Sequence, residues 1–150
     1  MPAALLNRFV ICLVISVTGL LISCTNPATT TQAISLKRLV FMAELKNDSA
    51  TIARYEHYHQ ANNLWPEINK AAQAAGFTQI TINRFGNRLV MIQEFPAGSD
   101  KKKMDSLYVA SSPKLKAWGE LMATLQQAPP GAKKGEVWVD MNEIYRYPNP

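Results

Sequence analysis

The fold of this chain is decided by one stretch, TQITINRFGNRLVMIQEF, at residues 78–95. It contains two runs with β-strand character, residues 78–84 and 88–95, joined by Phe85-Gly86-Asn87. Gly86 and Asn87 both tolerate a positive φ, which the tight turn of a hairpin requires. The stretch therefore predicts an antiparallel hairpin near the middle of the chain.

Strand-like and helix-like segments lie on both sides of this hairpin. Two of them alternate like strands: residues 39–45 and 137–145. Helix-start signals or helical spacing mark four others: residues 47–60, 66–76, 102–109 and 113–126. The order predicts an α+β domain of the ferredoxin-like βαββαβ type, a four-stranded antiparallel sheet with helices on one face. Such a sheet leaves its other face open for a ligand or for a second copy.

The first 23 residues are typical of a secretory signal. Asn7 and Arg8 precede an almost wholly apolar run, which is too short for a confident transmembrane helix of roughly 20 residues. The run ends at Leu21-Ile22-Ser23-Cys24, which resembles the lipobox of bacterial lipoproteins, where cleavage precedes an acylated cysteine. We expect export and a lipid anchor on Cys24 that holds the protein on a bacterial membrane. The alternatives are a buried cysteine in an ordinary signal and an uncleaved anchor helix.

The composition restricts the remaining possibilities. Residues 24–34 are small, polar and without periodicity, which predicts a flexible tether and a domain over residues 35–150. The only cysteines are Cys12 and Cys24, so we expect no disulfide in that domain. The net charge is +5, but basic and aromatic residues do not interleave as in a nucleic-acid-binding face. Lys101-Lys102-Lys103 is more typical of a solvated loop or a first helical turn than of a phosphate track.

Reactive side chains are densest at Tyr55-Glu56-His57-Tyr58-His59, which includes both histidines of the chain. On a helix, Tyr55 and His59 stand at i and i+4 and share one face, whereas His57 points elsewhere. His59 can exchange a proton near neutral pH, and the tyrosines can donate or accept a hydrogen bond without charge. The alternative is an amphipathic helix whose tyrosines pack on the sheet and whose histidines are solvated.

Other active-site patterns are missing from the sequence. It has no cysteine with a histidine partner, no glycine-rich phosphate loop and no histidine–carboxylate spacing of a known metal site. We therefore expect no metal centre. Trp65, Trp118 and Trp138 lie in different elements, and each suits either stacking on a sugar ring or core packing.

The segment YEHYHQANNLWPEI, residues 55–68, resembles the signature of the L-rhamnose mutarotase family, in which a tyrosine and a histidine four residues apart precede Trp-Pro-Glu. Further pieces agree: RFGNRL at residues 84–89 with Met91, WGELM at 118–122, QQ at 126–127, and GE at 135–136 with Trp138. The resemblance covers residues 36–147. It implies a dimeric ferredoxin-like α/β barrel and a cofactor-free mutarotase of the aldose 1-epimerase type. Its substrate would be a 6-deoxyhexose such as L-rhamnose or L-fucose.

The resemblance also implies which residues form the site. His59 would be the main proton-transfer group, with Tyr55 as its partner at the anomeric centre. Four residues would contact the sugar: Asn63, Trp65, Trp118 and Arg84. For Arg84, a charged rim of the hairpin is an equal alternative. One acid and one base suffice to open a pyranose ring.

Two positions depart from the family pattern. Asn83 and Gly131 stand where relatives often carry tyrosine and tryptophan, and both changes would shrink or open the sugar pocket. The alternative function is a non-catalytic sugar-binding or accessory lipoprotein on the same fold. A weaker alternative is another small-molecule enzyme of this fold class, such as a cofactorless monooxygenase. The expected partners are a monosaccharide, a second copy of the chain and the membrane, with no nucleic acid.

Overall fold

The computed structural model describes residues 35–148 of the 150-residue chain. The predicted signal peptide, the lipidated Cys24 and the tether lie outside the described residues. Within the described part, no helix is long and apolar enough to cross a membrane.

The domain alternates strands and helices in the predicted order. Its elements are β1 (Leu36–Leu45), α1 (Ser49–His59), α2 (Pro66–Ala75), β2 (Gln79–Phe85), β3 (Arg88–Pro96), α3 (Lys101–Ala110), α4 (Pro113–Leu125), β4 (Gln126–Gln127) and β5 (Val139–Asp140). They form one antiparallel sheet with the order β2-β3-β1-β4, and β5 also pairs with β1. This order confirms the ferredoxin-like α+β fold.

The hairpin of β2 and β3 is closed by two residues, Gly86 and Asn87, between the paired Phe85 and Arg88. Gly86 has a φ of 61°, and no non-glycine residue of the described chain has a positive φ. A positive φ at the first central position alone fits a type II′ turn, where glycine is the preferred residue. The predicted hairpin is confirmed, but only Gly86 adopts the left-handed conformation.

Local signals place the helices that hold the site. Asp48 begins α1, because its carboxylate accepts a hydrogen bond from the Thr51 backbone N–H at 2.8 Å. Pro66 opens α2, and Gly76 ends that helix with a φ of 92°. These positions agree with the boundaries predicted from the sequence.

The predicted last strand, residues 137–145, is wrong in length. Only Val139–Asp140 pairs with β1, and Gln126–Gln127 occupies the neighbouring positions along the same strand. Beyond β5 the apolar side chains are largely exposed: Met141 by 46%, Ile144 by 96% and Tyr145 by 78%. An alternating pattern forms a strand only where a surface buries its apolar face, and the described residues do not bury this one. Two short strands therefore share the fourth position.

Strand alternation separates two faces of the sheet. Ala43, Leu45 and Leu89 lie on one face and are fully buried against side chains of α1 and α4. The opposite face carries four half-buried apolar side chains at its centre: Val40, Met42, Val90 and Ile92. The core thus lies between the helices and one face, and the predicted site opens on that side.

Candidate active site

A cavity of about 1180 Å³ lies between the helices and the core-facing side of the sheet. Its wall includes Tyr55 and His59 from α1, Trp118 from α4 and Arg84 from β2. The fold therefore brings together four of the six residues predicted to transfer protons or contact the sugar. A concave, mostly apolar wall with a few polar groups is the usual form of a small-molecule site.

The His59 ring is held between two aromatic side chains. It stacks on the Tyr55 ring, with centroids 4.2 Å apart and 29° between the ring planes. Trp118 meets it edge-on, with centroids 5.4 Å apart. The predicted i, i+4 pairing on α1 accounts for the first contact, and only the packing of α4 on α1 provides the second.

One hydrogen bond determines which nitrogen of His59 carries the proton. The Nδ1 atom lies 2.8 Å from the backbone carbonyl oxygen of Tyr55. A carbonyl oxygen only accepts, so Nδ1 carries the hydrogen and donates it. In the neutral ring, Nε2 is then free to accept a proton. Burial lowers the pKa of His59 below its usual value, and the hydrogen bond to Tyr55 opposes this more weakly. His59 is therefore a neutral base at pH 7.

The Tyr55 hydroxyl is neutral and carries its proton. Its side chain is only 3% exposed, and this burial raises the pKa of the hydroxyl far above its usual value. The side-chain amide of Gln126, which also lies on the cavity wall, favours the charged form of the hydroxyl and opposes the rise in pKa without cancelling it. A neutral phenol beside a neutral imidazole can donate a hydrogen bond while its neighbour accepts a proton.

The charged part of the wall beside α1 is one ion pair, and Asp105 of α3, paired with Lys101, adds a carboxylate elsewhere on the wall. Arg84 donates from Nε to Glu56 Oε1 at 2.7 Å and from Nη1 to the Gly86 carbonyl oxygen at 2.7 Å. Both side chains line the cavity and are partly exposed. Arg84 is therefore both a wall residue and part of the hairpin rim. In the described part of the chain, no group of three His, Cys, Asp or Glu side chains is arranged to hold a metal ion.

Two predicted contact residues, Asn63 and Trp65, do not lie on the cavity wall. The Asn63 amide nitrogen is 3.2 Å from His57 Nδ1 and 3.1 Å from Gln60 Oε1, in the turn that follows α1. Trp65 packs edge-on against Trp118, with centroids 5.4 Å apart. Trp65 therefore supports the wall from behind Trp118, whereas its neighbours Leu64 and Ile68 line the cavity.

Comparison with known proteins identifies the family. The model of the L-rhamnose mutarotase family matches residues 38–147. The chain belongs to this family. It is 36% identical over 115 residues to the L-fucose mutarotase of Xanthomonas campestris pv. campestris. This alignment covers 75% of this chain and 89% of that protein. The crystal structure of an L-rhamnose mutarotase from Formosa agariphila aligns with a TM-score of 0.51 at 23% identity, over 73% of this chain and 97% of that one. The structural likeness shows the shared fold.

The two departures from the mutarotase family pattern have different surroundings. Asn83 is among the residues around the cavity, but it pairs with Val90, so its side chain lies on the open face of the sheet. Gly131 is not on the wall, and a Cβ atom at this position would meet nothing within 4 Å. Its φ of 87° favours glycine for a backbone reason. The sequence predicted an effect on the pocket at both positions, but Gly131 is away from the wall and the Asn83 side chain points to the other face of the sheet.

Sequence reasoning did not assign three wall residues of this mutarotase family member to the site: Glu56, Gln126 and Trp138. Glu56 lies beside Tyr55 in the sequence, and its ion pair with Arg84 depends on how α1 packs on β2. Gln126 belongs to the QQ pair that resembles the family, but its contact with Tyr55 joins residues far apart in the chain. Trp138 was considered for sugar stacking or core packing, and it lies on the wall and against the core.

Proposed function

We propose that this protein is a mutarotase that interconverts the α and β anomers of a 6-deoxyhexose such as L-rhamnose or L-fucose. Its membership of the family and the names of its relatives support this reaction. The observation that carries it is the environment of His59 in the cavity wall. Nδ1 is held by the Tyr55 carbonyl, which leaves Nε2 as a neutral base beside a protonated tyrosine.

Opening and closing the sugar ring requires only the side chains of His59 and Tyr55. His59 Nε2 takes the proton of the C1 hydroxyl while the C1–O5 bond breaks, and O5 takes a proton from the Tyr55 hydroxyl. C1 becomes an aldehyde carbon, and rotation about C1–C2 presents its other face to the O5 hydroxyl. On closure O5 attacks C1 and returns its proton to Tyr55, while His59 returns its proton to the carbonyl oxygen. General acid and base catalysis by such groups contributes about 10²- to 10⁴-fold each.

The remaining wall residues suit the binding of a sugar. The Trp118 ring, adjacent to His59, presents an apolar surface to the C–H face of a pyranose. Arg84 and Glu56 together offer donors and acceptors to hydroxyl groups without a net charge. Because the pair is already neutralised, it suits a neutral sugar better than a charged one.

Saturation-transfer NMR on anomerically equilibrated L-rhamnose and L-fucose tests this function. We expect exchange between the anomers to be faster with the protein than with buffer alone. Exchange at the buffer rate for both sugars would refute the mutarotase. If calorimetry then detected a bound sugar, the protein would be the non-catalytic sugar-binding lipoprotein instead.

We also propose that the protein acts as a homodimer through the open face of the sheet. The apolar centre of this face is flanked at either end by ion pairs, Arg38 with Glu94 and Arg88 with Glu44. An apolar centre with a charged border is the usual composition of a protein interface.

Lipid attachment at Cys24 is a further proposal, supported by the lipobox-like Leu21-Ile22-Ser23-Cys24 behind an apolar run. It would place the domain outside the cytoplasm on a bacterial membrane. There the protein would meet free sugars that glycosidases release, and it would supply the anomer that a transporter accepts.

A further inference from the structure

The cavity is larger than one 6-deoxyhexose requires. Its volume of about 1180 Å³ exceeds the roughly 300–1,000 Å³ of sites that hold drug-sized ligands. A 6-deoxyhexose is smaller than such ligands. A monosaccharide placed against Tyr55, His59 and Trp118 therefore leaves part of the cavity unfilled.

The unfilled part lies further along the hairpin. Arg84, at the end beside α1, is paired with Leu89, and Ile80 is paired with Gln93. Leu89 and Gln93 are four positions apart along β3, a distance of roughly 13 Å at about 3.3 Å per residue. Side chains of both pairs line the same cavity. The cavity therefore continues well past the position of the first sugar.

The side chains at this far end are suited to a second sugar ring. Phe77 and Tyr108 are half-buried and meet edge-on, with centroids 6.4 Å apart. Gln93 Oε1 is buried and has no hydrogen-bond partner among the described residues. A buried acceptor without a partner is costly unless a ligand or water satisfies it. A sugar hydroxyl would donate to this oxygen while the aromatic rings cover the apolar face of the ring.

From these contacts we infer that the far end, formed by Phe77, Gln93 and Tyr108, is a second sugar subsite. The substrate is then a short oligosaccharide with a free reducing end, whose reducing 6-deoxyhexose lies against His59. This inference rests on the proposed function, because the reaction needs a free C1 hydroxyl. The second sugar unit is therefore attached to the reducing 6-deoxyhexose through a hydroxyl group other than the one on C1. It adds binding energy and no new chemical step.

The test compares L-rhamnose with the disaccharide α-L-rhamnosyl-(1→3)-L-rhamnose. With the unmodified protein, we expect kcat/KM for anomer exchange of the disaccharide to be at least about fivefold higher, the value of one additional hydrogen bond. In Gln93→Leu, which removes the buried acceptor at similar volume, KM for the disaccharide should rise by about the same factor. Exchange of L-rhamnose should stay within about twofold of the original.

Equal acceleration of the two sugars by the unmodified protein would overturn the inference. An equal loss for both sugars in Gln93→Leu would also overturn it, because Gln93 would then act on structure alone. Calorimetry on His59→Ala separates this inference from the proposed function. Disaccharide binding that weakens when Gln93→Leu is added supports the subsite even if the unmodified protein accelerates neither sugar. Equal binding of the two sugars to His59→Ala contradicts it.

Discussion

At the scale of single residues, the two histidines of α1 differ because of their neighbours. His59 is partly buried, stacks on Tyr55 and donates from Nδ1 to a backbone carbonyl. His57, in the same helical turn, is exposed, and its Nδ1 lies near the Asn63 amide outside the cavity wall. The same side chain is therefore held in the cavity wall at one position and exposed at the other. His57 can therefore serve as the matched control for substitutions of His59.

We expect His59→Ala to lower enzyme-catalysed anomer exchange at least about tenfold, since a general base contributes about 10²- to 10⁴-fold. The measurement is saturation-transfer NMR on L-rhamnose at equal protein concentration. His57→Ala is the control and should retain activity within about twofold, because it removes the same ring from outside the cavity. Full activity in His59→Ala would exclude His59 as the base.

The pH profile should show the lowered pKa of His59. Only the neutral ring can accept a proton, so activity falls as the pH drops through the pKa of His59. Since burial lowers this pKa, the midpoint of the acid limb in kcat/KM should lie below the ordinary value of 6.5. Rates are measured by NMR after subtraction of the buffer-catalysed exchange at each pH. A midpoint at or above 6.5 would contradict the burial effect.

The lowered pKa of His59 also makes the free energy of unfolding depend on pH. The folded pKa of His59 is below its unfolded value, so the unfolded state binds the proton more readily. The stabilising contribution is fully present above the unfolded pKa and is lost as the pH falls through the folded pKa. His59→Gln should therefore show a smaller loss of unfolding free energy on acidification, measured by urea titration.

At the scale of elements, glycine has opposite effects at two helix positions. Gly76 ends α2 in the left-handed region, with a φ of 92°. Gly119 lies inside α4, and a Cβ atom there would meet nothing within 4 Å. Only the first position requires glycine for its backbone conformation.

Gly76→Ala should lower the free energy of unfolding by about 1 kcal/mol, because an L-residue is strained in the left-handed region. The added Cβ would meet Met104 Cε at 3.9 Å, an ordinary contact, so backbone strain is the cause. Gly119→Ala should instead raise the free energy of unfolding by about 0.8 kcal/mol, the difference in helix propensity. Urea denaturation measures both. Equal effects of the two substitutions would contradict this assignment.

At the scale of the whole molecule, the open sheet face predicts self-association. Ile92→Glu places a carboxylate at the apolar centre of that face, where a partner copy would have to desolvate it. We expect a dimer for the unmodified domain and a monomer for the variant in sedimentation equilibrium. Ala117→Glu, on the exposed surface of α4, is the control and should remain dimeric. A monomeric unmodified domain would exclude the proposed interface.

The proposed anchor is tested in the full chain in a bacterial host. An alkyne-tagged fatty acid should label the unmodified protein and the Cys12→Ser control, which leaves the lipobox-like segment intact. Cys24→Ser should lose the label, because the thiol that accepts the acyl chains is gone. Labelling that persists in Cys24→Ser would exclude this attachment site.

Features that depend on nearby residues could be predicted from the sequence. The Gly86 turn, the start of α1 near residue 47 and the shared face of Tyr55 and His59 follow from backbone geometry over a few residues. The sheet order also followed, because few topologies join strands and helices in this sequence. The length of the last strand could not be predicted in this way. Ile144 and Tyr145 would be buried in a strand only against a surface that the described domain does not supply.

The amino-acid sequence by itself therefore determined the helices, the hairpin, the order of the main elements and the family, and it identified Tyr55 and His59 as a pair. Only the tertiary structure decided that Trp118 completes their pocket, that Trp65 stands behind it, and that the cavity extends to Gln93. The physical reason is that burial and pKa depend on contacts between residues far apart in the chain. Local spacing determines which side chains share a face, but only the packing of elements determines what that face meets.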